Sequence, residues 1–154
     1  MTSLNPLFAE LNQYKTTKNT PKKQIKERAE RRDKQHNVKF PVDHIFHMKL
    51  RTYCKQLEPL YKTKYNRPLA QTKFNTLLLR YVLNHLELVD WELDYSDTKR
   101  YMHTNLLKLE YKEIGGSYGI SIRKGFSDRR TVYLMMRAGL TWVERGGNIE
   151  EIII

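Results

Sequence analysis

Two stretches of the chain, residues 74–85 and 132–143, repeat one pattern of apolar positions at a distance of 58 residues. In both stretches apolar side chains recur three and four positions apart, which is the spacing of an amphipathic helix. The matching positions are Phe74, Leu77, Leu78, Tyr81 and Val82 in the first stretch, and Val132, Met135, Met136, Gly139 and Leu140 in the second. The repeat predicts one structural unit used twice.

A short strand precedes the first of these stretches. Val38 and Phe40 alternate with polar residues, which predicts a strand of a few residues. Pro41 is expected to end it, because proline cannot donate a ladder hydrogen bond. The strand leads into a predicted helix that starts after Asp43, whose negative charge suits a helix N-terminus.

This helix has apolar positions spaced by four and three residues, which predicts one buried stripe: Phe46, Leu50, Tyr53, Leu57 and Leu60. Pro59 is expected to end or bend the helix near Glu58, because a proline inside a helix removes a hydrogen bond and crowds the preceding turn. After a polar connection, a second and strongly apolar helix is predicted over residues 69–88. The first unit is therefore strand, helix, helix.

The second unit has a weaker pattern. Three elements are expected in it: a strand over residues 99–104, a short helix over residues 107–114 and a longer helix over residues 128–145. Ser127 is expected to cap the longer helix, and Gly146-Gly147 to end it. An alternative for the middle is a β-hairpin, in which residues 107–114 pair with residues 118–123 across Gly115-Gly116.

The predicted fold class is mainly α with short β strands. A strand too short to be stable alone must find a partner strand, and two units in one chain can supply each other. If the repeat is false, the first unit pairs with another chain, giving a homodimer with an appended α+β region that contains the hairpin. The expected parts are a basic flexible arm (1–35), the first unit (36–88), an acidic joint (89–98), a second, divergent unit (99–148) and an apolar tail (149–154).

Residues 38–86 resemble the ribbon-helix-helix family, of which the Arc and methionine repressors are typical. The resemblance rests on Val38-Lys39-Phe40-Pro41, on the heptad-like helix and on the helix around residues 74–82. It implies a dimeric, sequence-specific DNA-binding protein whose two-stranded ribbon enters the major groove. The family includes transcriptional repressors and relaxosome accessory proteins of plasmids and mobile elements, some of tandem build.

The resemblance also implies site residues. In that family outward strand side chains read bases, which points to Asn37 and Lys39, flanked by Gln35, in the first unit. In the second unit the corresponding readers are expected to be Arg100, Met102 and Thr104. The N-terminus of the second helix holds a phosphate with its free amides, and the implied phosphate contacts are Arg67, Ala70, Gln71, Thr72 and Lys73 in the first unit, and Ser127, Arg129 and Arg130 in the second.

The charge of the chain agrees with a polyanionic partner. Lys and Arg number 28 against 17 acids, which gives a net charge of +11. Residues 1–40 hold 10 of these basic residues and 4 of the acids, so the arm either tracks DNA phosphates or serves as a solubilising tail. A second hypothesis is a protein-interaction adaptor that binds DNA non-specifically and uses its arm and tail to recruit a nucleoprotein enzyme. A relaxase or coupling protein is a candidate partner, and self-association is expected.

Other chemistry receives less support from the sequence. His44 and His47 lie three residues apart beside Asp43, but no second pair of ligands is evident, so no metal and no cofactor are expected. No phosphate-binding loop or nucleophile motif is present, and the protein is not expected to be an enzyme. Interleaved aromatic and basic residues raise RNA binding as an alternative: Tyr61, Lys62, Lys64 and Tyr65.

The predicted location is the cytoplasm. No run of about 18 apolar residues is present, so no membrane-spanning segment is expected. Cys54 is the only cysteine, which excludes an intrachain disulfide and a multi-cysteine metal finger.

Overall fold

The structure, a computed structural model, describes residues 34–154. The expected arm falls almost wholly outside these residues. In chain order the elements are β1 (Gln35–Pro41), α1 (His44–Tyr65), α2 (Gln71–Leu83), a 3-10 helix (Leu86–Leu88), β2 (Tyr101–Leu107), α3 (Lys108–Gly115), α4 (Ile120–Lys124), α5 (Asp128–Glu144) and a C-terminal 3-10 helix (Ile149–Ile153). The described part is thus mainly helical with one short sheet, as the predicted fold class states.

The sheet consists of β1 and β2, which pair antiparallel within the chain. Gln35 lies opposite Leu107, Val38 opposite Thr104, and Pro41 opposite Tyr101. This is the outcome expected of two units in one chain, since each short strand receives its partner without a second molecule. Self-association stays a prediction.

Helix α1 begins as expected but does not end at Pro59. The Phe46 amide donates to the side chain of Asp43 over 2.7 Å, which caps the helix. Pro59 then lies inside the helix, on its exposed side. There water can bond the Lys55 carbonyl, which loses its donor at Pro59, and the helix continues to Tyr65. The prediction of an end near Glu58 is therefore wrong.

The buried stripe of α1 also departs from the predicted spacing. Phe46, Leu50 and Leu57 are buried as expected, but Cys54 and Tyr61 take the places predicted for Tyr53 and Leu60. Tyr53 is half-buried, and Leu60 is exposed. A straight helix has 3.6 residues per turn, so its buried stripe moves away from a strict 3.5-residue repeat over several turns.

The middle of the second unit is helical, and the hairpin alternative is wrong. Residues 108–115 form α3 and residues 120–124 form α4. Ile120 and Ile122 would share one face of a strand. Instead Ile120 is buried while Ile122 is 61% exposed, as expected of two residues on different sides of a helix.

The repeated helices α2 and α5 pack against each other. Four of the five repeated positions are buried in α2, and all five are buried in α5. Gly139 lies where the two helices cross, because a Cβ there would come within 2.8 Å of Leu78 Cγ. The predicted cap of α5 is confirmed, since Ser127 Oγ accepts from the Arg130 amide over 3.1 Å. Gly146 follows the helix with a φ of +100°, as expected of a glycine stop.

The two units exchange their helices across the sheet. Helix α2 packs on β2, and α5 packs on β1, so all the elements of both units line one continuous core. The C-terminal 3-10 helix joins this core through Ile152 and Ile153. Lys64 Nζ and Tyr65 Oη donate to the Ile153 carbonyl, over 2.6 and 3.0 Å. The predicted apolar tail is thus part of the folded core, and no helix in residues 34–154 is long and apolar enough to span a membrane.

Candidate nucleic-acid interface

The two-stranded sheet has one buried face and one exposed face. Its buried face carries Val38, Phe40, Met102, Thr104 and Leu106. Its outer face carries mainly polar side chains: Gln35, Asn37 and Lys39 from β1, and Tyr101, His103 and Asn105 from β2. We call these six residues the outer ribbon face. Gln35, Asn37, Lys39 and His103 are exposed, and Tyr101 and Asn105 are partly buried.

The first-unit readers lie where the sequence predicts, and two of the second-unit readers do not. Met102 and Thr104 are 6% and 0% exposed on the inner face, and Thr104 Oγ1 donates to the Val38 carbonyl over 2.8 Å. Both predictions are wrong. Arg100 is exposed but precedes β2; the pKa of His47 is lowered by burial and then by the charges of Arg51 and Arg100. Side chains alternate along a strand, so a shift of one residue inverts the whole face.

Three side chains form a hydrogen-bonded chain at the centre of the outer ribbon face. Asn37 Nδ2 donates to Asn105 Oδ1 over 2.8 Å, directly across the strand pair. His103 Nδ1 lies 3.1 Å from Asn37 Oδ1 and donates to it, because an amide oxygen only accepts. These bonds leave Asn37 with one donor proton and one acceptor lone pair, and leave Asn105 with both donor protons and one acceptor lone pair. Both asparagines are therefore held in place with hydrogen-bonding capacity to spare.

A cationic and aromatic cluster occupies one end of the outer ribbon face. Lys39 Nζ lies 4.5 Å from the centre of the Tyr101 ring, and the Arg129 guanidinium carbon 4.7 Å from it. Arg129 also donates to Asp97 over 2.9 Å, and Tyr101 Oη donates to Asp97 over 2.8 Å. A hydrogen bond from the Lys99 amide, with those from Tyr101 and Arg129, holds the pKa of Asp97 below its usual value.

The N-terminus of α2 remains open. Ala70 is the N-cap and makes no side-chain capping bond, so the first-turn amides have no side-chain partner within residues 34–154. One turn further on, the buried side chains of Asn75 and Thr76 bind β2: Asn75 Nδ2 donates to the His103 carbonyl over 3.2 Å, and the Asn105 amide donates to Thr76 Oγ1 over 2.8 Å. These bonds place the open helix end beside β2.

The other predicted phosphate contacts of the first unit surround this helix end. Arg67 and Lys73 are exposed, and Thr72 is partly buried. The side-chain amide of Gln71 instead points into the fold, where it donates to the Leu50 carbonyl and to Asn75 Oδ1. The backbone of Gln71, rather than its side chain, therefore belongs to the candidate phosphate site.

The N-terminus of α5 is occupied by groups of the chain itself. Ser127 caps the Arg130 amide, and Arg129 is paired with Asp97. The Arg130 guanidinium stacks 3.9 Å from the centre of the Phe126 ring, and its Nε is buried without a hydrogen-bond partner in the described residues. The two predicted phosphate sites are thus unlike: the first is open and the second is filled.

A small basic cleft at the other end of the sheet was not predicted. Lys34, Gln35 and His36 line it from β1 and the residue before it, and Lys108, Tyr111 and Lys112 line it from α3. The rings of His36 and Tyr111 stack with centres 3.5 Å apart. Tyr111 Oη donates to Asp128, which raises the pKa of Tyr111 to about 12 and fixes the ring. Stacking across two elements has no local sequence signal.

Two other features predicted from the sequence lie on α1: the pair His44 and His47 at its start, and Tyr61 and Tyr65 near its end. His44 and His47 lie in the first turns of α1, and burial, aided by nearby cations, lowers the pKa of His47. No group of three or more potential metal ligands occurs within residues 34–154. Tyr61 is buried and Tyr65 binds the C-terminal helix, so these aromatics cover the end of α1 and do not form an open stacking platform.

Comparison with known proteins adds no relative. No protein-family model matches the chain, and neither a curated protein nor a solved structure does so.

Proposed function

We propose that the protein is a sequence-specific double-stranded DNA-binding protein with a duplicated ribbon-helix-helix architecture. It reads bases in the major groove with the outer ribbon face. It acts as an accessory factor at a plasmid transfer origin or as a transcriptional repressor, with a relaxase or coupling protein as the partner in the first case.

The observation that carries this proposal is the open, polar side of the two-stranded sheet. Short two-stranded sheets are rarely stable with one side exposed unless the other side is well packed. Here the inner side packs on the helices, and the outer side carries amides, a lysine and a histidine. A two-stranded ribbon fits the major groove, where each base pair presents a distinct set of donors and acceptors.

The chemistry of these side chains matches base edges. An asparagine pairs with the N6 and N7 atoms of adenine through one donor and one acceptor, which is the capacity that Asn37 and Asn105 retain. Lys39 is exposed beside them and suits the O6 and N7 acceptors of guanine.

Phosphate binding would come from the open start of α2 and from the net positive charge. Free amides at a helix N-terminus attract an anion, and Arg67 and Lys73 add charge there. These contacts orient the ribbon and supply affinity without reading sequence.

The test is footprinting of the full-length protein on the DNA that surrounds its own gene. Protected repeats upstream of the gene favour a repressor, and protection beside a nick site favours a transfer-origin role. A protein that gives no footprint on this DNA, and binds it no more tightly than random duplexes, would contradict sequence-specific binding. That result would favour the adaptor hypothesis, in which Ile152 and Ile153 of the tail could take no part because they are buried in the core.

A matched pair of variants connects the footprint to the outer ribbon face. Asn37→Ala/Lys39→Ala should abolish the footprint. Gln56→Ala/Lys62→Ala removes the same kinds of group from exposed positions of α1 and should leave it intact. Lys62 lies 18 residues beyond the start of α1, which is about 27 Å along a helix axis.

A further inference from the structure

The two strands present different side chains at equivalent places. The antiparallel ribbon can be compared with itself about a two-fold axis that passes between Val38 and Thr104, perpendicular to the sheet. This axis relates each β1 position to the β2 position 66 residues later in the sequence. The positions it exchanges on the outer ribbon face are Gln35 with Tyr101, Asn37 with His103, and Lys39 with Asn105. No pair is identical. The backbone of the ribbon is therefore compatible with two-fold symmetry, but the side chains on its outer face are not.

The difference is largest at the ends of the ribbon. At one end Tyr101 lies beside two cations, Lys39 and Arg129. At the other end Gln35 lies opposite the apolar Leu107. The ribbon therefore has a direction that a duplex could distinguish.

The asymmetric pairing is built into the core. Asn75 and Thr76 of α2 belong to the first unit but bind the backbone of β2 through their side chains. Both side chains are almost fully buried, at 1% and 2% exposure. A further bond depends on the identity of the β2 side chain: Thr104 Oγ1, which is fully buried, donates to the Val38 carbonyl over 2.8 Å. A second copy of β1 would place a valine where Thr104 lies and would remove this bond inside the core, where unpaired polar groups are costly. Each chain thus holds one complete outer ribbon face made of two unlike strands.

We propose that one chain binds one non-palindromic DNA sequence, with β1 and β2 reading different half-sites. This inference rests on the proposed function. Identical strands of a homodimer meet identical half-sites, so symmetric readers select palindromes. In this protein β1 offers an amide and an ammonium group, while β2 offers an imidazole and an amide in the equivalent places. Tyr101, His103 and Asn105 determine the specificity of the second half-site.

The experiment is selection of bound sequences from a randomised duplex pool by the full-length protein. Native mass spectrometry on the selected duplex then counts chains. We expect a motif without two-fold symmetry and one chain per duplex. His103→Ala should change the preference in one half-site and leave the other half-site as selected by the wild type.

A second variant tests whether the different side chains of β1 and β2 cause the asymmetry of the selected motif. His103→Asn/Asn105→Lys makes β2 match β1 at the two central reading positions. The selected motif should then gain two-fold symmetry at those positions, and binding to the wild-type motif should weaken by about tenfold or more. Gln56→Ala/Lys62→Ala should select the wild-type motif, and circular dichroism should confirm that each variant is folded.

The outcomes separate this inference from the proposed function. A palindromic wild-type motif, or two chains on each minimal duplex, would overturn the inference and leave sequence-specific binding intact. Failure to enrich any sequence would overturn the proposed function, and the inference with it.

Discussion

The two halves of the molecule have the same order of elements but differ in how much of their surface is free to bind. The first half, β1 with α1 and α2, has one long first helix and an open N-terminus on α2. In the second half the first helix is broken into α3 and α4, and the cations at the start of α5 are engaged by Asp97 and by aromatic rings. The first half therefore leaves both the outer face of its strand and a helix N-terminus open, while in the second half the outer face of β2 is open but the helix N-terminus is filled.

The two halves differ at their surfaces but share one interior. The halves share a core, because α2 packs on β2 and α5 packs on β1. Trp142 of α5 stacks on Tyr81 of α2 with ring centres 4.3 Å apart. We expect the halves to differ in binding and to unfold together.

The largest expected effect is a loss of stability, and it tests whether the two halves unfold as one core. Phe74 is fully buried in α2, and Phe74→Ala should reduce the free energy of unfolding by about 3–5 kcal/mol. Urea unfolding should show one transition, coincident by circular dichroism and by tryptophan fluorescence. The tryptophans, Trp91 and Trp142, both follow the first unit. Leu109→Ala, at a side chain that is 76% exposed, is the control and should have little effect. Separate transitions by the two probes would show that the halves are independent.

The next effect concerns the readers in the first half. Asn37→Ala and Lys39→Ala should each reduce discrimination between cognate and random duplexes by about 1–3 kcal/mol, because each removes contacts to one base. Fluorescence anisotropy at fixed salt measures both affinities. The Gln56→Ala/Lys62→Ala protein again serves as the control. Unchanged discrimination in the Asn37→Ala/Lys39→Ala protein would refute the assignment of these readers.

A smaller effect concerns the ion pair that links the halves. Arg80 of α2 holds Glu110 of α3 through two bonds, and Glu110 also accepts from the Leu107 amide. Burial alone would raise the pKa of Glu110, but these hydrogen bonds lower it overall. A depressed pKa in the folded state stabilises the protein above the ordinary pKa of glutamate, and this stability is lost as the pH falls through the folded value.

The measurement is thermal unfolding of the wild type and of Glu110→Gln between neutral and acidic pH. The wild type should be more stable at neutral pH by about 1 kcal/mol, since the pair is partly exposed. The difference should disappear on acidification below the ordinary pKa of glutamate, at about 4.3. A difference that is constant with pH would mean that the charge of Glu110 has no role.

The smallest expected effect concerns the ion pair of Arg129 with Asp97, which we expect to reduce the attraction of Arg129 to DNA. Arg129→Ala should weaken binding to all duplexes similarly, and Asp97→Ala should strengthen it, both by less than about tenfold because solvent screens exposed ion pairs. The salt dependence of affinity should become shallower in the first variant and steeper in the second. Equal weakening in both variants would show instead that the pair acts by ordering the ribbon end.

The second strand shows where reasoning from sequence fails. Met102 and Leu106 alternate in the same way as Val38 and Phe40, and this signal could have identified the inner face of β2. The sequence prediction starts this strand two residues early, which leaves its faces unchanged, but it places Arg100, Met102 and Thr104 on the outer face, one residue out of step with the structure. In a strand, a one-residue error inverts the two faces.

Local periodicity and caps determined much of this protein from its sequence alone: β1 and its outer face, the start of α1 at Asp43, the helix α2, and α5 with its Ser127 cap. These features depend on residues within one or two turns of each other. Only the tertiary structure decided the register of β1 with β2, the break between α3 and α4, the burial of Ile152 and Ile153, and the pairing of Arg129 with Asp97. These features depend on contacts between distant segments or on the shape of the core, which no local pattern of polar and apolar residues encodes.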